Sequence, residues 1–144
     1  MSMIGAYKKF DKNLYEANDH AKNKAIKYFN RIGMEAIVNP DQYGIDLIVD
    51  NKFYCEVEVK HNWKGSKFPF YTLQLSDRKR KFAIQDSDEY PVIFMVINSE
   101  HTHALVAKGR DVISSPCEEV SNKYIQKGEY FFQIPIKKTV KVKL

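Results

Sequence analysis

An α/β fold built on a mixed sheet is predicted by three features of this sequence: an early amphipathic helix, three short strands behind it, and a basic helix followed by two apolar runs. Between about Asp11 and Ile32 the apolar residues Leu14, Ala17, Ala21, Ala25, Tyr28, Phe29 and Ile32 return at steps of three and four. That is helical periodicity, and Gly33 supplies a C-terminal stop. Met34 to Val38 reads as a first strand, 39–42 as a turn, and Gly44 to Val49 as a second strand, apolar except for Asp46. After a reversal at 50–52, Cys55, Val57 and Val59 alternate with Glu56, Glu58 and Lys60. Period two of this kind marks a strand with one packed face and one polar face, hairpin-paired to the second.

Beyond a loop carrying Trp63, Gly65 and Pro69, the segment Ser76 to Gln85 is predicted to be a basic helix, with Asp77 where the helix dipole favours an acid. Tyr90 to Ile97 and His103 to Ala107 read as interior strands, and Gly109 to Ser115 as a short helical turn. Tyr130 to Ile136 and Val140 to Leu144 supply terminal strands, the last an alternating edge whose lysines discourage edge-to-edge pairing.

A chain of 144 residues, 44% of them hydrophobic, has enough apolar side chain for one core, so a single domain over 1–144 is expected. No apolar run is long enough to span a membrane, and Met1 to Phe10 lacks the apolar stretch of a signal peptide. The expectation is a cytoplasmic protein with no membrane partner. Cys55 and Cys117 match no paired-cysteine metal spacing and read as buried free thiols. His101 and His103 alternate on one strand face, but no third soft ligand is near to make a zinc site.

The formal charge is +5, and its distribution says more than its size. From Lys52 to Lys81 there are eight Lys and Arg against three acids. Phosphate backbones bind by releasing counterions to such side chains. Hydrolysis of a phosphodiester needs a divalent cation, an activated water and a positive group near the developing charge. Asp46 is expected inside an apolar strand, where a carboxylate is costly unless something satisfies it. The hairpin brings Glu58 alongside, and Lys60, two residues on, shares its face. Two carboxylates, which suit magnesium, then converge with an ammonium placed to orient or deprotonate the attacking water. Taken without Asp46, Glu56, Glu58 and Lys60 describe only a solvent-facing strand of opposite charges. Asp46 decides against that.

The run Tyr43-Gly44-Ile45-Asp46-Leu47-Ile48-Val49, followed by Cys55-Glu56-Val57-Glu58-Val59-Lys60, resembles the Asp, then Glu-x-Lys, signature of the PD-(D/E)xK nuclease superfamily. The flanking helices, over residues 11 to 107, match that family's restriction-endonuclease-like αβββαβ core, a central mixed sheet flanked by helices. The resemblance implies Asp46 and Glu58 as Mg2+ ligands, the Val59 carbonyl as a further oxygen, and Lys60 as the catalytic lysine, with Mn2+ able to substitute. It also implies an acid on the first helix, Glu16 or Asp19, although by helical angle Asn18 lies nearest the buried stripe. Glu56 is open to a second metal or to pairing with a lysine. Gln74 falls where some members carry a site glutamine. Pro40-Asp41 is only a turn.

Nucleic-acid contacts are expected from Trp63, Lys64 and Lys67 in the loop and from Arg78, Lys79, Arg80 and Lys81 on the basic helix. The plain alternatives are an aromatic loop anchor for Trp63 and the wet face of an amphipathic helix for the basic run. The expected function is a Mg2+-dependent DNA endonuclease, junction-resolvase-like or of restriction or homing type. The alternative is a catalytically inactive nucleic-acid-binding module. One small site per chain favours a homodimer or higher homo-oligomer for cutting both strands.

Overall fold

The central strands of the main sheet are buried on both faces, and two packed layers follow from that. The computed structural model describes residues 12–121 and 128–144, with side chains from residue 18 onward. Helix α1 (Lys12–Arg31) leads into β1 (Ala36–Val38), β2 (Leu47–Val49), β3 (Phe53–Lys60) and β4 (Thr72–Ser76). A 3-10 turn at Asp77–Lys79 opens α2 (Arg80–Ala83), and β5 (Val92–Asn98), β6 (His103–Lys108), α3 (Gly109–Ile113), β7 (Cys117–Glu119), β8 (Tyr130–Pro135) and β9 (Val140–Lys143) complete the order. Six strands form a mixed sheet in the order β1-β2-β3-β5-β6-β9, and β4-β8-β7 form a second, antiparallel one. Only the β3–β5 pairing of the large sheet is parallel. The chain is therefore α/β with a mixed sheet.

One face of the large sheet packs on α1. Ala21, Ala25 and Phe29, all buried, meet Leu47, Val49, Cys55, Met95 and Ile97. The small residues at 21 and 25 let the helix lie close, and Gly33, with φ 91°, ends it in the left-handed conformation that glycine adopts freely. The other face carries Phe94, Val96 and Leu105 against Leu73, Leu75, Phe132 and Ile134 of the small sheet, closed by Phe82, Val112 and Trp63. Asp50 and Asn51 turn β2 into β3 with φ of 53° and 52°. Those angles are tolerated best by such short polar side chains.

The helix expected over Ser76–Gln85 is present but shorter, running over 77–83 as the 3-10 turn and α2. Thr72 to Ser76 is a strand, Leu75 is a strand core residue, and the α-helix proper is four residues long. The stretch read as loop before that helix contains strand β4, held by pairing with β8: Leu73 and Leu75 alternate inward against Ile134 and Phe132, and Ser76 ends the strand. Cys117 is only half-buried, unlike Cys55. His101 lies in the β5–β6 turn with φ 61° and stacks on His20, so it does not share a strand face with His103. No helix of the described residues is long and apolar enough to cross a membrane.

Asp86 joins the end of the α2 segment to β5 and α3. Its carboxylate accepts from Val92 N–H at 2.8 Å, and from Arg110 N–H at 3.0 Å and Nε at 2.8 Å. Burial pushes its pKa up, but these hydrogen bonds and the guanidinium outweigh it and hold it below the ordinary 3.8. A lowered carboxyl pKa stabilises the fold above the unfolded value, and that contribution is lost as pH falls through the native value. Asp86→Ala leaves the buried Val92 N–H without its acceptor and is expected to cost about 1–3 kcal/mol at neutral pH. Denaturant titrations at pH 7 and pH 3 check this: the deficit should shrink in acid, and an equal deficit at both would contradict it.

Candidate active site

β2 covers only the start of β3. Leu47, Ile48 and Val49 face Cys55, Tyr54 and Phe53, whereas β3 continues beside β5 as far as Lys60. The Tyr54 N–H donates to Pro91 on the β5 side, so even-numbered residues of β3 direct their backbone groups to β5 and odd-numbered ones away from it. Past Cys55 the outer edge has no strand partner among the described residues. Asp46 takes over: its Oδ2 accepts the Val57 N–H at 2.8 Å. By the same alternation the Val59 carbonyl faces this opening.

Asp46 stands in the bend just before β2, not inside a core strand as the sequence suggested. Its backbone is fixed on both sides. The Asp46 carbonyl accepts from Asn39 N–H at 2.9 Å, the Asn39 amide donates to the Ile45 carbonyl, and Asp46 N–H donates to Glu56 Oε1 at 3.1 Å. Gly44 suits that approach, since a Cβ there would stand 2.8 Å from Asn39 Nδ2 and push the amide off the Ile45 carbonyl. The register also corrects the expected neighbour: Asp46, one before β2, lies across from Glu56, and Glu58 projects three residues beyond the last β2 pair, Leu47–Cys55.

A cavity of about 400 Å3 opens at this overhang, bordered by Asp46, Glu58 and Val59 from the strands and by Asp19 and Lys22 from α1. Lys22 Nζ lies 3.2 Å from Asp46 Oδ1. Lys79 Nζ is 2.6 Å from Glu56 Oε2 and 3.9 Å from Glu58 Oε1. Burial raises the Glu56 carboxyl to about 7, against the pull of Lys79 and with a further push from the Asp46 charge. Burial also raises Glu58, opposed by Lys79 and Lys60. Desolvation lowers the Lys60 ammonium, opposed by Glu58. Lys60 Nζ rests 5.1 Å from the Phe70 ring centroid, in a second cavity that Glu58 also borders.

Several expected contacts lie elsewhere. Trp63 is wholly buried, with Nε1 donating to the Lys67 carbonyl at 3.1 Å, so it anchors its own loop and has no face free for a base. Glu56 is 4% exposed and held by Lys79, not on a solvated face, and Lys79 is turned inward with it. Gln74, by contrast, stays near the site: on β4 and bonded to Gln133 at 3.3 Å, it lines the second cavity with Lys60 and Glu58. Arg80 lies over the Phe132 ring yet stays exposed, as do Lys64, Lys67, Arg78 and Lys81. Asn18 is exposed beside the cavity, not toward the core. The Glu16 side chain lies outside the described residues, and of the two helix acids Asp19 is the one seen at the cavity. Sequence reading missed Lys22; its signal was a place one turn after Asp19, next to the Ala21–Ala25 stripe.

The oxygens at the overhang suit a hard divalent cation. Asp46, Glu58 and the Val59 carbonyl border one opening and are oxygen donors, and a cation there would displace the ammonium groups of Lys22 and Lys79 that now lie against the two carboxylates. Among the described residues no cluster of three His, Cys, Asp or Glu side chains closes around a metal. Magnesium asks for less, being commonly held by one or two carboxylates and waters. Comparison of the chain with models of known protein families, with curated proteins and with solved structures finds no match.

Proposed function

We propose that this chain is a Mg2+-dependent DNA endonuclease with a restriction-endonuclease-like core. The observation that carries the reading is the β3 overhang, where Asp46, Glu58 and the Val59 carbonyl border one cavity and Lys60 stands next along the same strand. Asp46, Glu58 and Val59 would hold the cation, with Asp19 as the helix acid, and Mn2+ would substitute. When bound, the cation polarises the phosphoryl oxygen and acidifies a coordinated water.

The chain's own groups do the rest. Burial favours a neutral Lys60 amine, which can accept a proton from the attacking water; protonated, it faces the charge developing on phosphorus. Arg78 and Lys81, on the rim of a cleft that also reaches Glu58, hold the flanking phosphates. Lys64 and Lys67 extend the same positive surface. Two copies related by a two-fold axis would cut both strands.

One observation favours a second reading, a silent nucleic-acid-binding module: Lys22 and Lys79 already offset the charges of Asp46 and Glu56. A single experiment separates the two. Supercoiled plasmid, a four-way junction and a plain duplex are incubated with Mg2+ or chelator, beside Lys60→Ala and Lys60→Arg. Metal-dependent cutting that rises with pH through the lowered range of Lys60 is expected, absent in Lys60→Ala and without the pH-dependent rise in Lys60→Arg, which stays charged. Cutting that ignores chelator overturns the reading. Binding of all three substrates with no cutting favours the silent module.

A further inference from the structure

We infer that the larger cavity beside the overhang takes an unpaired nucleobase, so that the favoured substrate is a strand with a splayed base next to the cut phosphodiester, not continuous duplex. The inference rests on the nuclease reading for the position of the phosphate. The cavity measures about 900 Å3, within the range of small-molecule sites. Its walls carry Phe70, Tyr71 and Phe131, and Lys60 enters from β3.

Tyr71 is 99% exposed, an aromatic ring with almost none of its surface packed, and Phe70 beside it is 39% exposed. Their loop is nevertheless rigidly built. The buried Trp63 meets Phe68 edge-on at 5.2 Å, and Phe68 meets Phe70 in the same way at 5.4 Å. This ladder fixes Phe70 in place, and Tyr71, next along the chain, adds an unpacked ring that a base can cover. Base stacking on such rings tolerates any sequence.

Polar groups on the cavity wall suit a base edge. Gln133 Oε1 accepts from Thr72 Oγ1 at 2.7 Å and from Gln74 Nε2 at 3.3 Å, which orients the Gln74 carboxamide. Among the described residues nothing donates to the Gln74 amide oxygen, so it is free to accept. Glu58 borders this cavity, the metal-side cavity and the basic cleft of Arg78 and Lys81. A strand laid in the cleft would pass its phosphate at Glu58 and deliver the next base to Tyr71. In continuous duplex that base is stacked and paired, and it reaches the cavity only after paying for extrusion.

The test uses the full chain carrying Asp46→Asn, in chelator and at fixed salt, with oligonucleotides containing 2-aminopurine in a single strand, at an unpaired flap position, or within duplex. Quenching is expected for the first two probes and not for the third. Adding Tyr71→Ala should weaken binding of the unpaired probes about ten-fold or more and duplex binding less than about two-fold, with Tyr71→Phe restoring the difference. Equal quenching of paired and unpaired probes, no quenching at all, or an equal loss on every probe overturns the inference. Quenching without cleavage by the unaltered chain in Mg2+ keeps the base site and removes the nuclease reading. Cleavage without quenching does the reverse.

Discussion

Asp46→Asn is expected to reduce Mg2+-dependent cleavage by about a thousand-fold or more while leaving the fold intact. The loss corresponds to the several kcal/mol of charge stabilisation a bound cation supplies, each 1.36 kcal/mol being about ten-fold in rate. Asparagine keeps an oxygen for the Val57 N–H, so the overhang stays tied to the bend before β2. What is lost is one negative charge facing Glu56. That charge helps to raise the Glu56 carboxyl, so its removal relieves repulsion within a buried cluster even as Lys22 loses its partner. Thermal unfolding should therefore be unchanged or slightly higher, and Glu56 should titrate lower. Cleavage within ten-fold of the unaltered chain, measured on the same plasmid, would remove Asp46 from the site.

Trp63→Ala should have the largest effect on stability, about 3–5 kcal/mol. The side chain is wholly buried among Phe68 and the core of the small sheet, and its indole N–H satisfies the Lys67 carbonyl. Truncation opens a cavity and strands that carbonyl. At roughly 2–4 °C per kcal/mol for a domain of this size, Tm falls by about 10 °C, readable by calorimetry or circular dichroism. Activity should fall as well at temperatures where the variant is still folded, because Trp63 begins the aromatic ladder that ends on Phe70, against which Lys60 rests. Trp63→Phe keeps most of the apolar volume and should recover most of both. A loss below about 1 kcal/mol would show that the loop is not held by this ring.

Much of the layout was legible because period carries it. The steps of three and four from Ala21 to Phe29 became the buried stripe of α1, and the alternation from Cys55 to Lys60 became β3 with Glu56, Glu58 and Lys60 on one side. Thr72 to Ser76 was not legible as a strand, since five residues between a loop and a basic run show no partner until β8, some sixty residues later, is there to pair with them. Trp63 was ambiguous for a similar reason: a loop tryptophan shows its burial only through distant partners. The helix acid was left open between Glu16 and Asp19, and the cavity wall carries Asp19.

By itself the sequence determined which residue types stand two apart on one strand face and that an aspartate precedes them at hairpin distance, because strand pleat and turn chemistry are local. Only the tertiary structure decided what surrounds those charges. The short β2 leaves the edge of β3 open, Lys22 arrives from α1 and Lys79 from the turn before α2, and Glu56 rather than Glu58 lies across from Asp46. Strand length, register and the burial that shifts Glu56, Glu58 and Lys60 depend on contacts between segments far apart in the chain, and no local pattern encodes them.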